Sequence, residues 1–377
     1  MFKRVDEILD KISEYGVPGY ECIICKDGER VYHRINGVAD VESAKAIEGG
    51  EQYYMYSCSK LLTCTAALML YERGTFELSD PVSKYLPELA AMKVADGDTL
   101  RDAACEMTVE HLFTMTAGFS YVILDSKAIN TFKKETEGRC PTGEFAAYIS
   151  REALLFDPGE RFQYSLCHDV LAALVEKISG MKFSAFVKEN IFDPLGMIHS
   201  TFDPSHPLVK EVITQYIYNA ESKCFSVKEG NVYILGTEYE SGGAGCISTA
   251  ADFSLFLEGL RTFKLLKSET IALMTADRVA GRRGTLWIDD YGYGLGVRCP
   301  RADRDRTDGV FDYGWGGAAG AYMGIDPVHG ITVSYVQHVL SSPGVSEKRT
   351  LMRTVAECIT GKKLGEQSSA SDNVTLA

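Results

Sequence analysis

Apolar and polar positions change their spacing along the chain, and each change predicts a different element. In MFKRVDEILDKISEYG, Val5, Ile8, Leu9 and Ile12 recur at helical spacing among charges, which predicts an amphipathic surface helix. Residues 19–25 and 30–37 read as two strands joined at Lys26-Asp27-Gly28-Glu29, where Asp-Gly supplies the positive φ that a tight hairpin needs. Residues 61–71 are helical and strongly apolar, hence expected to be buried on most sides, with Gly74 as the stop. From about 80 to 196 helical patterns dominate, among them 144–154 and 170–178, each closed by Gly or Pro. Residues 249–260 set Phe253, Phe256, Leu257 and Leu260 on one face, with Ser248 as the expected N-cap. The period then shifts. Residues 291–298, 319–326 and 331–339 are rich in Gly, aromatic and β-branched types and predict consecutive antiparallel strands. Ser346 is expected to cap a last helix carrying Leu351, Val355 and Ile359, and 362–377 to form a polar tail.

With strands at both ends and helices between them, the pattern predicts an α+β chain whose sheet is built from both ends and whose helical part is an insertion. The expected division is 1–60 with 240–361 as a discontinuous α/β sandwich, 61–239 as the mainly helical part, and 362–377 as the tail. No internal repeat or strong linker interrupts it, so two interleaved subdomains are expected.

Composition narrows the function. At 377 residues and 45% apolar content the chain can bury a large core. A net charge of −13 without a basic run argues against nucleic-acid binding as the main task. No apolar stretch of about 18 residues predicts a membrane span, and the first segment reads as a helix instead of a signal peptide, so a cytoplasmic location is expected. Eleven cysteines are an odd number for a disulfide framework, so reduced thiols are expected. Cys22-Ile23-Ile24-Cys25 lies in a strand-like run with no second pair, and no metal is expected there.

Candidate chemistry gathers at three places. Ser57-Cys58-Ser59-Lys60 stands where an extended apolar stretch, 53–56, enters the buried helix. Residues at i and i+3 share a helical face, which brings the Lys60 amine beside the Ser57 hydroxyl, and the helix N-terminus offers N–H groups to a developing oxyanion. Alone, Ser57 would read as a helix cap; the same pattern at Ser179-Gly180-Met181-Lys182 follows a helix end, so its Ser and Lys need not share a face. The second place is Tyr164-Ser165-Leu166 after the Gly159 turn. A phenol near a cationic lysine can take a proton as general base and return it to the leaving group, although one of 20 tyrosines is more often a packing residue. The third is Gly314-Trp315-Gly316-Gly317-Ala318-Ala319-Gly320, where glycines permit close approach and the N–H of Ala318 can face an acyl oxygen opposite that of Ser57. His168-Asp169 invites a triad with Ser57, which is set aside because neighbours at a helix start point in different directions. Cys58 and Cys167 flank these motifs, either as oxidation-sensitive neighbours of the nucleophile or, more commonly, as packed thiols.

In order and spacing the motifs resemble the serine β-lactamase and penicillin-binding-protein superfamily, and within it the class C-like branch that includes family VIII carboxylesterases. Thr108 through Gly118, Phe156-Asp157-Pro158-Gly159, Phe192 through Met197, and Gly242, Gly243 and Gly245 before Ser248-Thr249-Ala250 extend the resemblance over nearly the whole chain. It implies a β-lactamase/transpeptidase-like α+β architecture, an antiparallel sheet flanked by helices with an inserted helical subdomain, and the site in the cleft between them. It also implies Ser57 as the acylated nucleophile, Lys60 depressing its proton affinity, Tyr164 as base and then acid, the N–H groups of Ser57 and Ala318 as oxyanion hole, and no metal or cofactor. Two departures bear on substrate. Where β-lactamases carry Tyr-x-Asn this chain has Tyr164-Ser165-Leu166, and where they carry Lys-Thr-Gly it has Trp315-Gly316-Gly317, which removes a cation that would attract a carboxylate. The Trp-x-Gly form resembles family VIII esterases and favours an apolar acyl or alcohol group. Trp315, Gly316, Gly317 and Leu166 are therefore the expected substrate-binding residues. The leading expectation is a carboxylesterase acting on small or medium neutral esters. The alternative is a β-lactamase, D-amino-acid peptidase or amidase, which would need a cation from Arg298, Arg301, Arg304 or Arg306. An alternative of another class is a non-catalytic scaffold or sensor that kept the fold.

Overall fold

The computed structural model describes residues 1–282, 291–302 and 312–364. Its first strand shows why the sheet lies between two helical layers. β1 (Gly19–Lys26) is buried from Gly19 through Cys25. Cys22 and Ile24 pack with one group of core residues and Ile23 and Cys25 with the other, so successive side chains alternate between two buried faces, and the strand reads as an apolar run. The hairpin to β2 (Glu29–Asp40) turns at Asp27 and Gly28, with φ 51° and 88°. A short β3 (Lys45–Ala46) pairs with β2.

The other neighbour of β1 comes from the far end of the chain. β4 (Gly292–Tyr293), β5 (Arg298–Cys299), β6 (Tyr313–Gly316), β7 (Tyr322–Asp326) and β8 (Ile331–Gln337) complete an antiparallel sheet of order β4-β5-β6-β7-β8-β1-β2-β3, with Ile24 opposite Val333. Helices α1 (Lys3–Glu14) and α5 (Val345–Thr360) bury Val5, Leu9, Ile12, Leu351 and Val355 on one face. On the other lies α4 (Ala250–Arg261), to which Ser334 Oγ donates at the Ala250 carbonyl (3.0 Å) and Thr332 Oγ1 at Glu258 Oε1 (2.7 Å).

Most of the chain between β3 and α4 is helix and loop. Within it α2 (Ser59–Glu72) is buried from Ser59 through Leu70 and packs against α3 (Cys167–Ser179). The hydroxyls of Thr63 and Thr65 fold back onto the carbonyls of Ser59 and Leu61, which disposes of polar groups inside an otherwise apolar helix. Gly74 (φ 70°) follows the helix end. All eleven cysteines are free thiols. Among the described residues no helix is long and apolar enough to cross a membrane.

Several boundaries differ from the periodicity, each for a local reason. The expected strand 291–298 is divided into β4 and β5 by a turn at Gly296 (φ 85°), closed by Gly294 N–H on the Val297 carbonyl at 2.9 Å. The expected strand 319–326 starts only at Tyr322, after Gly320 (φ 91°), and 331–339 ends at Gln337 because Val339–Leu340 pairs instead with Tyr216–Ile217. The helix expected over 144–154 is Phe145–Ile149, since beyond it the chain turns so that Leu154 N–H reaches the Lys93 carbonyl at 2.8 Å. Thr249, not Ser248, caps α4, accepting from Asp252 N–H at 3.0 Å, while Ser248 pairs with Tyr53 in a short ladder. The cap of α5 is Gly344 at φ 79°, and Ser346 Oγ donates to Glu347 at 2.7 Å. The tail beyond 364 lies outside the described residues.

Candidate active site

A tight turn delivers Ser57 to the start of α2. Tyr56 holds φ 46°, a left-handed conformation unusual for a bulky residue. Its phenol donates to Gln215 Oε1 at 2.5 Å and its ring meets Tyr233 edge-on at 6.1 Å, and these contacts hold the strained turn in place. One helical turn on, Lys60 is fully buried, and Nζ donates to the Gly243 carbonyl at 2.7 Å, to the Tyr121 hydroxyl at 2.9 Å and towards Ser57 Oγ at 3.4 Å. The i, i+3 spacing thus places the lysine and the serine side by side, as the sequence predicts.

Tyr164 lies in the segment leading into α3. Lys60 Nζ sits 4.7 Å from the centre of its ring, while its hydroxyl accepts a hydrogen bond from Trp315 Nε1 at 3.2 Å. The lysine and the indole therefore engage different parts of the same phenol. The phenol that Lys60 bonds directly belongs to Tyr121, which the motifs do not single out. Tyr121 opens a short 3₁₀ turn capped by Ser120, and its ring lies 5.5 Å from Tyr164 and 5.5 Å from Tyr233. Burial holds the Tyr121 phenol well above its ordinary range, so its oxygen remains a neutral acceptor for Lys60.

The glycine-rich end of β6 closes against the Ser57 turn. A Cβ on Gly317 would fall 2.6 Å from the Met55 carbonyl and 3.5 Å from Cys58 Sγ, so only glycine permits this approach. It sets Gly316, Gly317 and Ala318, all partly exposed, beside the turn that carries Ser57. Trp315 is 2% exposed and packs against Tyr164 and Tyr293, at 5.6 and 5.1 Å between ring centres. Leu166, expected to touch substrate, is instead a core residue at 2% exposure, because the chain enters α3 there.

Burial and pairing remove several other candidates. His168 lies against Cys64 Sγ and the Phe113 carbonyl (3.2 Å), and burial, with the Lys60 charge adding to it, pushes its imidazole down to about 3. Its hydrogen bonds go to Cys64 and Phe113, none to Ser57. Burial pushes the thiols of Cys58 and Cys167 up to about 12 and about 11, which makes them poor nucleophiles. Arg298, considered as a cation for a substrate carboxylate, is bound to Asp312 (2.8 Å), the Tyr322 hydroxyl (2.8 Å) and the Met323 carbonyl (3.1 Å) inside the protein. Arg304 and Arg306 lie outside the described residues. Among the described residues no three His, Cys, Asp or Glu side chains stand together as metal ligands would.

The profile of the Beta-lactamase family matches residues 4–357. Esterase EstB of Burkholderia gladioli is 27% identical over 355 residues, covering 88% of each protein. Among solved structures, EstCE1, described as a hydrolase with promiscuous acyltransferase activity, superposes with a TM-score of 0.74 at 24% identity, covering 94% of this chain and 97% of that one. D-amino acid amidase from Ochrobactrum anthropi SV3, complexed with D-phenylalanine, superposes at 0.73 and 17% identity over 95% and 98%. At these identities the two structures speak for the fold.

Proposed function

This chain belongs to the Beta-lactamase family, within the serine β-lactamase and penicillin-binding-protein superfamily, and on that premise we propose that it is a carboxylesterase working through an acyl-enzyme at Ser57. The observation that carries the reading is the buried Lys60 ammonium, held by Gly243 and Tyr121 and aimed at Ser57 Oγ, with Trp315 where a lactamase would place a second cation. As Ser57 Oγ bonds to the ester carbon, its proton passes to the Tyr164 oxygen, which has to enter the step as a phenolate and leaves it as a phenol, and the carbonyl oxygen becomes an oxyanion facing the N–H groups of Ser57 and Ala318. The carbon–oxygen bond to the alcohol then breaks, and Tyr164 returns the proton to the leaving oxygen. Water repeats the sequence on the acyl carbon, giving its proton to Tyr164 and freeing Ser57. A positive charge at Lys60, beside both, lowers the cost of negative charge on the two oxygens. The indole N–H of Trp315 orients the Tyr164 oxygen without adding a charge, so Trp315 itself offers no cation to a substrate carboxylate, and neutral esters suit it better than penicillins or peptides.

The test is to mix the protein with p-nitrophenyl butyrate. A burst of p-nitrophenol, a mass gain of one butyryl group at Ser57, and turnover above that of a chromogenic cephalosporin are expected. Faster cephalosporin hydrolysis would move the assignment to β-lactamase, and acylation elsewhere would end it. The two phenols separate by substitution. Tyr164→Phe should lower kcat by about 10²- to 10⁴-fold, as expected for a lost proton carrier. Tyr121→Phe removes one acceptor from Lys60 and should cost about tenfold. The reverse order in steady-state kinetics would transfer the proton-carrying role to Tyr121.

A further inference from the structure

One buried charge beside this site has no task in the scheme above. Asp169, in the first turn of α3, is 2% exposed. Its Oδ1 accepts from Ser241 Oγ at 2.6 Å and from the Tyr239 hydroxyl at 3.2 Å. Ser241 Oγ itself accepts from Ala244 N–H at 3.1 Å, so its proton is committed to Asp169, an arrangement that suits a carboxylate. The second oxygen, Oδ2, is buried with no short hydrogen bond, the Gly243 backbone being its polar neighbour. An ionised oxygen left in that state is costly unless a nearby charge offsets it.

Gly243 shows where that charge is. A Cβ on Gly243 would lie 2.5 Å from Asp169 Oδ2 and 3.4 Å from Lys60 Nζ, so carboxylate and ammonium stand within about 6 Å of each other on either side of one glycine. The carbonyl of that glycine is the acceptor of the shortest Lys60 bond, 2.7 Å. Asp169 therefore reaches Lys60 twice, through space and through the turn at 241–245 that it ties to α3. We propose that Asp169 is a positioning residue for Lys60, its carboxylate serving as the buried counter-charge of the ammonium and anchoring the turn whose Gly243 carbonyl holds Nζ towards Ser57. This rests on the acyl-enzyme reading of Ser57 and Lys60.

Among the described residues the other titratable groups around the pair supply no substitute for this charge. From α2 and the turn before it come Cys58 and Cys64, and from α3 Cys167 and His168. Burial pushes the three thiols up and the imidazole down, leaving all four neutral. From the loops and β4 come Tyr121, Tyr233, Tyr239 and Tyr293, which burial holds as neutral phenols, together with Tyr164, the proton carrier. Burial also raises the Asp169 carboxyl, and the Ser241 bond and the Lys60 charge oppose that rise.

The test reads the alkaline limb of kcat/KM for p-nitrophenyl butyrate, because a carboxylate beside an amine favours its charged form. Asp169→Asn keeps the shape and removes the charge. It is expected to lower kcat/KM tenfold or more and to move the limb down by on the order of one pH unit, because an ammonium without its counter-charge surrenders its proton more readily. Ser241→Ala loosens the turn but keeps the charge, so its limb should stay in place. A folded Asp169→Asn protein with an unmoved limb would overturn the proposal. If that variant does not fold, Asp169→Ser decides, since it also removes the charge while keeping a small polar side chain; an unmoved limb there overturns the proposal equally. Failure of the underlying reading looks different: the unsubstituted protein would then form no butyryl adduct at Ser57.

Discussion

Replacing Ser57 with alanine is expected to reduce ester turnover by about 10⁴- to 10⁶-fold while leaving the fold intact, the scale on which removal of an activated nucleophile acts. Both halves of that expectation follow from the geometry. Ser57 is only half-buried, and its hydroxyl is the longest of three contacts to Lys60, which keeps the Gly243 and Tyr121 oxygens when Oγ is gone. No buried polar atom is stranded, so the unfolding free energy should change by less than about 0.5 kcal/mol. Steady-state rates on p-nitrophenyl butyrate, with thermal unfolding of the same samples, check both. Residual activity within about tenfold of the unsubstituted protein would show that another group attacks the ester. No Ser57-dependent activity on esters or cephalosporins would favour the scaffold or an untested amide substrate.

The second large effect is on stability. Asp312→Ala should cost about 3–5 kcal/mol of unfolding free energy, because it strands a buried guanidinium. Arg298 is 5% exposed on β5 and Asp312 is fully buried. Burial works against the Arg298 charge, and Tyr322, Asp312 and Tyr291 more than offset it, holding the group charged above its ordinary value. Two phenol rings also cover it, with their centres 4.5 Å (Tyr322) and 5.3 Å (Tyr291) from the guanidinium carbon. Removing only the anion takes away the cation's charged partner among the described residues. Replacing both, as Arg298→Met with Asp312→Leu, should recover most of the loss, since a buried ion pair contributes little against an apolar pair of similar volume. Urea unfolding of the single and double variants decides. A loss below about 1 kcal/mol in Asp312→Ala would mean that Tyr322 and the Met323 carbonyl suffice to hold the charge. The pair also explains why Arg298 is not offered to a substrate: it is buried, with three donors engaged by Asp312, Tyr322 and Met323.

Much of this site is legible in order along the chain because its first elements are local. Ser57 and Lys60 share a face through the helical repeat, the Asp27-Gly28 turn selects its hairpin through positive φ, and Trp315-Gly316-Gly317 declares by residue type that no lysine stands there. The continuous apolar run of β1 likewise announces a strand covered on both faces. Other features have no local signature. Lys60 finds its two closest partners 61 and 183 positions away, at Tyr121 and Gly243, and Asp169 meets Ser241 across 72. Nothing in the sequence around Tyr121 marks it out from the other tyrosines, and Leu166 occupies a motif position yet turns into the core because α3 begins there. The sequence by itself determined the elements, the serine–lysine pair and the missing cation, since each depends on backbone preferences or residue type within a few positions. The tertiary structure alone decided which phenol bonds Lys60, where Tyr164 turns its hydroxyl and which carboxylate faces the ammonium. Those distances are set by how α2, α3 and the 241–245 turn pack together, and no preference within a short window of sequence encodes them.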